Sequence, residues 1–583
     1  MRRAVALVAG ATVFGATVLL AGCGGGGGAA GGGQRQTGSA FAACEANPNT
    51  CNSARPGTLR QGGQLTFAIE KNVANWNLLS SEGNVYESLE VLKPVLPYTF
   101  VTQPDLTAAM NTDLLDSAKV TDTSPETIVY KIKPDAVWSD GTSITAEDFS
   151  YNWKLQNGRD CPNCSVSTTS GYDQVRSVVG SEGGKTVTVT LTKPFTDWKQ
   201  FWSGGSPIYP AHIAAQHGDI TTPRGLAASF TWFGKNTPTY SGGPYQVDTF
   251  RNNESVTLVP NPRWYGPRPK LDRLIYRIIT DANQEPTALQ NREVQVINPQ
   301  PQVDLVRQVD RIPGVSSFVG LGLSWEHFDL NLQNSYLADP ALRTAMFTAV
   351  DRQAIINKTV GQFATKITPL NSHNFVPQQA GYEDVISETG QGSGNLARAR
   401  QILDAAGYKS EDGQLATLIG MPVPPMRIRY AQGNQVRQVE CELFAQAVKP
   451  LGITVQVVPT DDLGATTSRG DYDIVVFAWD MSPFPYGGAV QLWGTGQGNN
   501  FGRYSNPDVD RLIAAAGSQT DESLAKETLN QADRRLTKDA YVLPLYQKPT
   551  FIALYDTIAN VRNNSSLDGP PYNVAEWAFR PAG

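Results

Sequence analysis

The sequence predicts an α/β protein with more than one sheet, on three observations. Apolar strands of period two recur along the chain, capped amphipathic helices alternate with them, and no internal repeat of roughly 20 to 50 residues is present. At roughly 150 residues per domain, 583 residues amount to about four domain equivalents, ample for a large core. The 11 Trp, 21 Tyr and 21 Phe exclude pervasive disorder. Against 48 Lys plus Arg stand 54 Asp plus Glu, a net charge of −6 with no long basic run, so no nucleic-acid partner is expected.

The chain opens on Arg2 and Arg3, followed by an apolar run over residues 4–20 that is short for a membrane span of ~20 residues. That is the plan of a signal peptide. The cleavage zone Leu20-Ala21-Gly22-Cys23 resembles the lipobox of bacterial lipoproteins. The resemblance implies removal of residues 1–22, lipidation of Cys23, and anchorage on the extracytoplasmic face of the cell membrane. Gly24 to Gly28 and Gly31 to Gly33 cannot build a core, and residues 23–61 are expected to form a tether.

In an oxidising compartment, close cysteine pairs point to disulfides, here Cys44 with Cys51 and Cys161 with Cys164. Cys161-Pro162-Asn163-Cys164 also has redox CxxC spacing. It follows an Asn157-Gly158 turn and precedes a Ser/Thr-rich loop, so a structural bond is the stronger reading. Cys441, among Val439, Leu443 and Phe444, is expected as a buried free thiol.

The first strand is expected near Leu65, Phe67 and Ile69, and a second at Ile128, Tyr130 and Ile132, before the turn Ser139-Asp140-Gly141. Thr145 and Asp148 form a capping box for a helix carrying Phe149, Tyr151, Trp153 and Leu155. Gly183-Gly184-Lys185-Thr186 has part of a phosphate-loop pattern, but Val179 stands where its first glycine belongs, so a hairpin into the strand Val187, Val189, Leu191 is expected. Asp339 and Asn395 read as helix caps, the first with Pro340 behind it and the second ahead of a helix stopped by Gly407. Ile453, Val455 and Val457 alternate as a strand, and residues 474–479 form a continuous apolar run suited to a strand buried on both faces.

Catalytic chemistry finds little support. The four histidines, His212, His217, His327 and His373, include no i, i+4 pair, so no metal site is expected. No GxSxG elbow and no SxxK with KTG is present, and Asp471 with Asp473 read as a turn rather than a glycosidase pair. A binding protein without a cofactor is favoured over an enzyme.

Several segments resemble the family 5 extracellular solute-binding proteins of ABC importers, the peptide-binding group. Val137-Trp138-Ser139-Asp140-Gly141 with Thr145-Ala146-Glu147-Asp148-Phe149 is similar to its strand, SDG turn and helix start. Ser241-Gly242-Gly243-Pro244-Tyr245, Asn261-Pro262-Arg263-Trp264-Tyr265, the helix from Asp339 through Arg343 to Arg352, residues 396–408, Asn506-Pro507-Asp508 and Leu543-Pro544-Leu545 match in order. Most of these are expected to be scaffold.

The resemblance implies a two-lobed, type II periplasmic-binding-protein-like fold with an extra subdomain in the first lobe. Lobe I would take residues 62–325 and 540–583, with the subdomain near 107–229, and lobe II residues 326–539. It implies a monomeric receptor that captures an oligopeptide in the interlobe cleft and delivers it to a permease whose ATPases are other chains. Ligand backbone would pair with Glu82, Gly83 and Asn84 from one lobe and with Ala478, Trp479 and Asp480 from the other, and Gly83 would permit close approach. The family's peptide binders commonly carry an Asp, three residues after this Trp, that pairs with the ligand ammonium; here that position is Ser482. Asp480, on the same side of an extended strand, could take over. A non-peptide solute such as haem, a metal chelate or an oligosaccharide is the alternative, and a secreted hydrolase a more distant one.

Overall fold

Alternating apolar residues build the strands β1 (Gln64–Ile69), β2 (Leu115–Thr123), β3 (Glu126–Ile132), β4 (Val175–Ser181), β5 (Thr186–Leu191), β6 (Tyr245–Arg251), β7 (Ser255–Pro260) and β8 (Arg273–Ile278). They are followed by β9 (Val296–Ile297), β10 (Val315–Leu330), β11 (Met426–Ala431), β12 (Val455–Thr460), β13 (Ile474–Asp480) and β14 (Val542–Tyr555). The structure is a computed structural model and describes residues 36–37, 40–44, 46–54, 56–364, 366–411 and 413–581. The signal-peptide segment, the lipobox with Cys23 and the glycine run that follows lie outside the described residues.

One large sheet has the order β12-β11-β13-β10-β14-β9-β1-β8-β7-β6, with Gln36–Thr37 paired to β10. β12, β11 and β13 are parallel, as are β9, β1 and β8, while β13, β10, β14 and β9 pair antiparallel in turn. A second sheet, β2-β3-β5-β4, stands apart as the extra subdomain, packed under the helix Ala146–Gln156. The Gly183-Gly184 segment is the β4–β5 hairpin turn.

Two long strands, β10 and β14, tie the lobes together. Phe318 of β10 and Ile552 of β14 belong to the first core, which also holds Phe67, Trp138 and Tyr276. Phe328 and Leu543 belong to a second, with Met346, Ile428 and Phe444. A third gathers Trp325, Trp493, Leu512 and Leu529. The β10–β14 register is interrupted between Leu321 and Trp325 and shifts again between Glu326 and His327, so the ladder is irregular midway along both strands.

The expected tether is shortened. Phe41 is buried with its ring 5.7 Å from that of Phe318, and Arg562 donates its Nε–H to the Cys51 carbonyl at 3.0 Å. Residues 40–54 carry the apolar side chains that a glycine run lacks, and they pack. The structure bonds Cys44 to Cys51 and Cys161 to Cys164, and leaves Cys441 a buried thiol whose titration burial pushes up.

The family-like motifs are scaffold. Trp138 is buried with its indole N–H on Asp148, which Thr145 also caps. A Cβ on Gly243 would lie 2.3 Å from the Pro94 carbonyl oxygen, so the chain passes there only with glycine. Arg343 donates to the carbonyls of Leu337 and Asp539, and Arg352 to those of Leu370 and Pro544, tying helices to β14 and its approach.

Candidate functional site

β13 is the element most plainly built for a ligand. Its N-terminal residues are held on both edges: Ile474 and Val475 pair with Ile428 and Arg429 of β11, and the whole strand pairs antiparallel with β10. From Val476 to Asp480 the β11 side carries no strand partner among the described residues. Val476 and Phe477 are buried there, so the backbone N–H and C=O groups of Ala478 to Asp480 are the ones left on an accessible unpaired edge, the kind of template to which an extended peptide adds. Ala478 and Trp479 are half-buried, and the Trp479 ring stacks on Phe501 at 5.5 Å. Asp480, exposed at the strand end, accepts a hydrogen bond from the Ser324 hydroxyl.

Ser482 lies past the strand. Its Oγ accepts the Phe484 N–H at 3.0 Å, and its carbonyl accepts from Gln379 Nε2 at 3.0 Å. The expected strand parity between Asp480 and Ser482 therefore does not apply, because the chain turns through Pro483 into the helix Pro485–Trp493. Asp480 lines a cavity of about 310 Å³. A second cavity, of about 610 Å³, runs beside Pro483 to Tyr486 and faces Asp105, Trp198 and Lys199. Both are lined on one side by residues of segment 480–486 and on another by residues of the first 200 of the chain. A larger one, of about 750 Å³, lies under residues 49–54 within the first lobe.

The expected first-lobe segment is folded on itself. Glu82, Gly83 and Asn84 form a turn whose N–H groups are spent internally: Gly83 and Asn84 donate to the Ser80 carbonyl and Val85 to that of Gly83. A Cβ on Gly83 would sit 2.1 Å from the Asn77 oxygen, so the turn's own packing already requires glycine. None of the three lines either interlobe cavity. The wall facing Asp480 comes instead from the helix Tyr86–Leu92, with Tyr86, Glu87 and Glu90, and from Glu70 and Glu285.

These acids were not legible as a site. Glu87, Glu90 and Glu285 are only 6, 3 and 1% exposed, and Glu87 Oε2, Glu90 Oε1 and Glu285 Oε2 have no hydrogen-bond partner. Burial, then repulsion from Glu87, Glu285 and Glu70, holds the Glu90 carboxyl far above the usual range. Burial, with Glu70 adding, pushes Glu285 up to about 9. Burial and Glu87 raise Glu70.

The other chemistry-bearing groups are wired into the scaffold. His212 meets Asp140 at 2.8 Å, and His217 stacks on Trp232. Burial lowers His327 to about 3, a neutral ring packed beside Trp325 and Phe477. Ser372, His373 and Asp533 meet in the interior, but the Ser372 hydroxyl donates to Asp533 rather than to the imidazole, so it is not activated as a nucleophile. Asp471 pairs with Arg427 and Arg429, and Asp473 accepts from the Arg427 backbone and Asn334. Among the described residues no group of three or more His, Cys, Asp or Glu is placed to hold a metal.

Residues 109–501 match the family model described as bacterial extracellular solute-binding proteins, family 5. The chain belongs to this family. It is 30% identical over 520 residues to the oligopeptide-binding protein OppA of Mycobacterium tuberculosis, covering 87% of this chain and 84% of that protein. Among solved structures, the periplasmic EDTA-binding protein EppA is 36% identical, with a TM-score of 0.85 over 92% of this chain and 99% of its own. The oligopeptide-binding protein AppA of Bacillus subtilis, in complex with a nonapeptide, shares the fold at 22% identity, with a TM-score of 0.71 over 89 and 99% of the two chains. This family 5 protein thus has the two-lobed α/β fold, and its relatives span peptide and chelate binders.

Proposed function

We propose that this family 5 protein is the lipid-anchored receptor of an ABC importer, capturing oligopeptides between its lobes and delivering them to a permease and ATPases on other chains. The unpaired edge of β13 at residues 478–480, whose last residue Asp480 lines the smaller of the two cavities, carries this reading. Main-chain pairing there holds a peptide irrespective of its side chains. With lobe I as 62–325 plus 540–583 and lobe II as 326–539, β10 and β14 are the hinge, bending at the register break between Leu321 and Trp325. Cys23 would carry the lipid.

A second reading, capture of an anionic chelate, is favoured by the 36% identity to EppA. Against it stands the wall opposite Asp480, which presents the carboxyl groups of Glu70, Glu87, Glu90 and Glu285 and no basic side chain to a polycarboxylate. Residues 34–583 form a compact unit and can be purified gently for native mass spectrometry, with the bound molecule identified after denaturation. A set of peptides of similar length is the expected result. A single chelate, or a protein that no peptide library stabilises, would overturn the peptide reading.

A further inference from the structure

Buried carboxylates need donors, and the cavity beside Asp480 has three that lack them. Glu87 and Glu90 project from the helix Tyr86–Leu92, Glu285 starts the helix Glu285–Gln290, and Glu70 follows β1. Each of Glu87, Glu90 and Glu285 is more than nine-tenths buried and leaves one oxygen unpartnered. The nearest cation, Lys71, reaches Glu87 Oε1 at 3.5 Å from a side chain that is two-thirds exposed, and does not fill the cavity. Behind Tyr86 the other charged groups, Lys93 and Asp568, are already paired with each other. The oxygens are not clustered as metal ligands. At about 310 Å³ the space is at the small end of the roughly 300–1,000 Å³ typical of small-molecule sites.

We propose that this pocket receives a cationic nitrogen group of the ligand, a guanidinium or ammonium whose N–H donors satisfy Glu87, Glu90 and Glu285 while Asp480 closes it from the second lobe. A guanidinium offers five donors and an ammonium three, with no acceptor to waste, and both form short charge-assisted bonds to carboxylates. The selection falls on cationic peptides, so the proposal rests on the cleft being the ligand site and, for the source of the cation, on the peptide reading. Burial keeps Glu90 and Glu285 protonated in the empty pocket, and an incoming cation favours their ionised forms. Capture therefore releases protons, and affinity rises with pH. Glu70, Glu87, Asp480 and Tyr86 line the same space, and Lys71 is paired with Glu87 at its edge.

The test is calorimetry on the full chain in detergent with pentapeptides of alanine carrying one arginine, the same peptides with citrulline in its place, their N-acetylated forms, and agmatine. Arginine should bind at least tenfold tighter than citrulline, with a heat that changes with the buffer's ionisation enthalpy. Glu90→Gln and Glu285→Gln should each reduce the ratio of arginine to citrulline affinity toward one. If acetylation and not citrulline removes the preference, the ammonium is the seated group. Equal affinity for arginine and citrulline peptides, with and without acetylation, would overturn the cation pocket and leave peptide capture standing. Binding of agmatine with no peptide bound would do the reverse. The wild-type comparison needs no variant, so a misfolded Gln variant does not spare the proposal.

Discussion

Closure of the lobes should depend on Asp197. This first-lobe carboxylate is 2% exposed and accepts the Gly487 N–H at 2.7 Å, in the first turn of the second-lobe helix Pro485–Trp493. Beside it, Thr196 Oγ1 donates to the carbonyls of Ala516 and Gln519, each at 2.8 Å. Asp197→Ala would strand a buried donor at a helix N-terminus, at a cost of about 2 kcal/mol to the closed form. That is roughly a 30-fold shift toward the open form. Ligand release followed by stopped flow should quicken by a similar factor, and the ligand-free radius of gyration in X-ray scattering should grow. The pH dependence separates charge from contact. Burial pushes Asp197 up to about 7, against the pull of the Gly487 and Tyr486 backbone groups, from an ordinary 3.8. When the lobes part it returns toward the ordinary value, so between these pH values the closed form holds a proton that the open form has lost. Closure is then strongest in acid and weakens by up to about 1.4 kcal/mol per pH unit through that window. Asp197→Asn keeps a carbonyl acceptor and should flatten the dependence. Unchanged release in the Ala variant, or an undiminished slope in the Asn variant, refutes the latch.

Three further outcomes follow from the same structure. Lys93→Met leaves Asp568, which also accepts the Thr102 N–H at 2.7 Å, buried without its cation; denaturant melts should show a loss of about 3–5 kcal/mol, with ligand affinity unchanged in the folded fraction. Gly83→Ala places a Cβ 2.1 Å from the Asn77 oxygen and should cost about 1–3 kcal/mol of stability without selective loss of ligand; a full-stability variant that has lost binding would restore a ligand-contacting role. Glu285 has its folded value raised from 4.5 to about 9, so the ligand-free protein keeps this residue's full contribution only below about pH 4.5 and loses it as pH climbs to 9. Glu285→Gln should therefore melt higher than the unmodified chain at pH 9 and level with it at pH 5, and equal melting points at pH 9 would refute the burial argument.

What was legible in the sequence was what is decided within one turn or one hairpin. Thr145, Asp339 and Asn395 cap their helices because each accepts an N–H two or three residues ahead, and the β4–β5 hairpin follows from adjacent glycines. The apolar run before Trp479 showed the inner half of β13, yet no window of sequence shows that β11 pairs with it only as far as Val475. Gly83 misled for the same reason, since the atom that demands glycine belongs to Asn77 and not to a ligand. Glu87 and Glu90, three apart on a short helix, carry no local signal of a site; Glu70, just past the end of β1, and Glu285 come to their side only in the fold, where Glu87, Glu90 and Glu285 are buried together. Asp197 caps a helix 290 residues away. Side chains whose partners are local reveal themselves by spacing. Those whose partners lie far along the chain, or would arrive with a ligand, show only in the fold, as Asp197 on Gly487 and the unpartnered oxygens of Glu87, Glu90 and Glu285 beside Asp480 do.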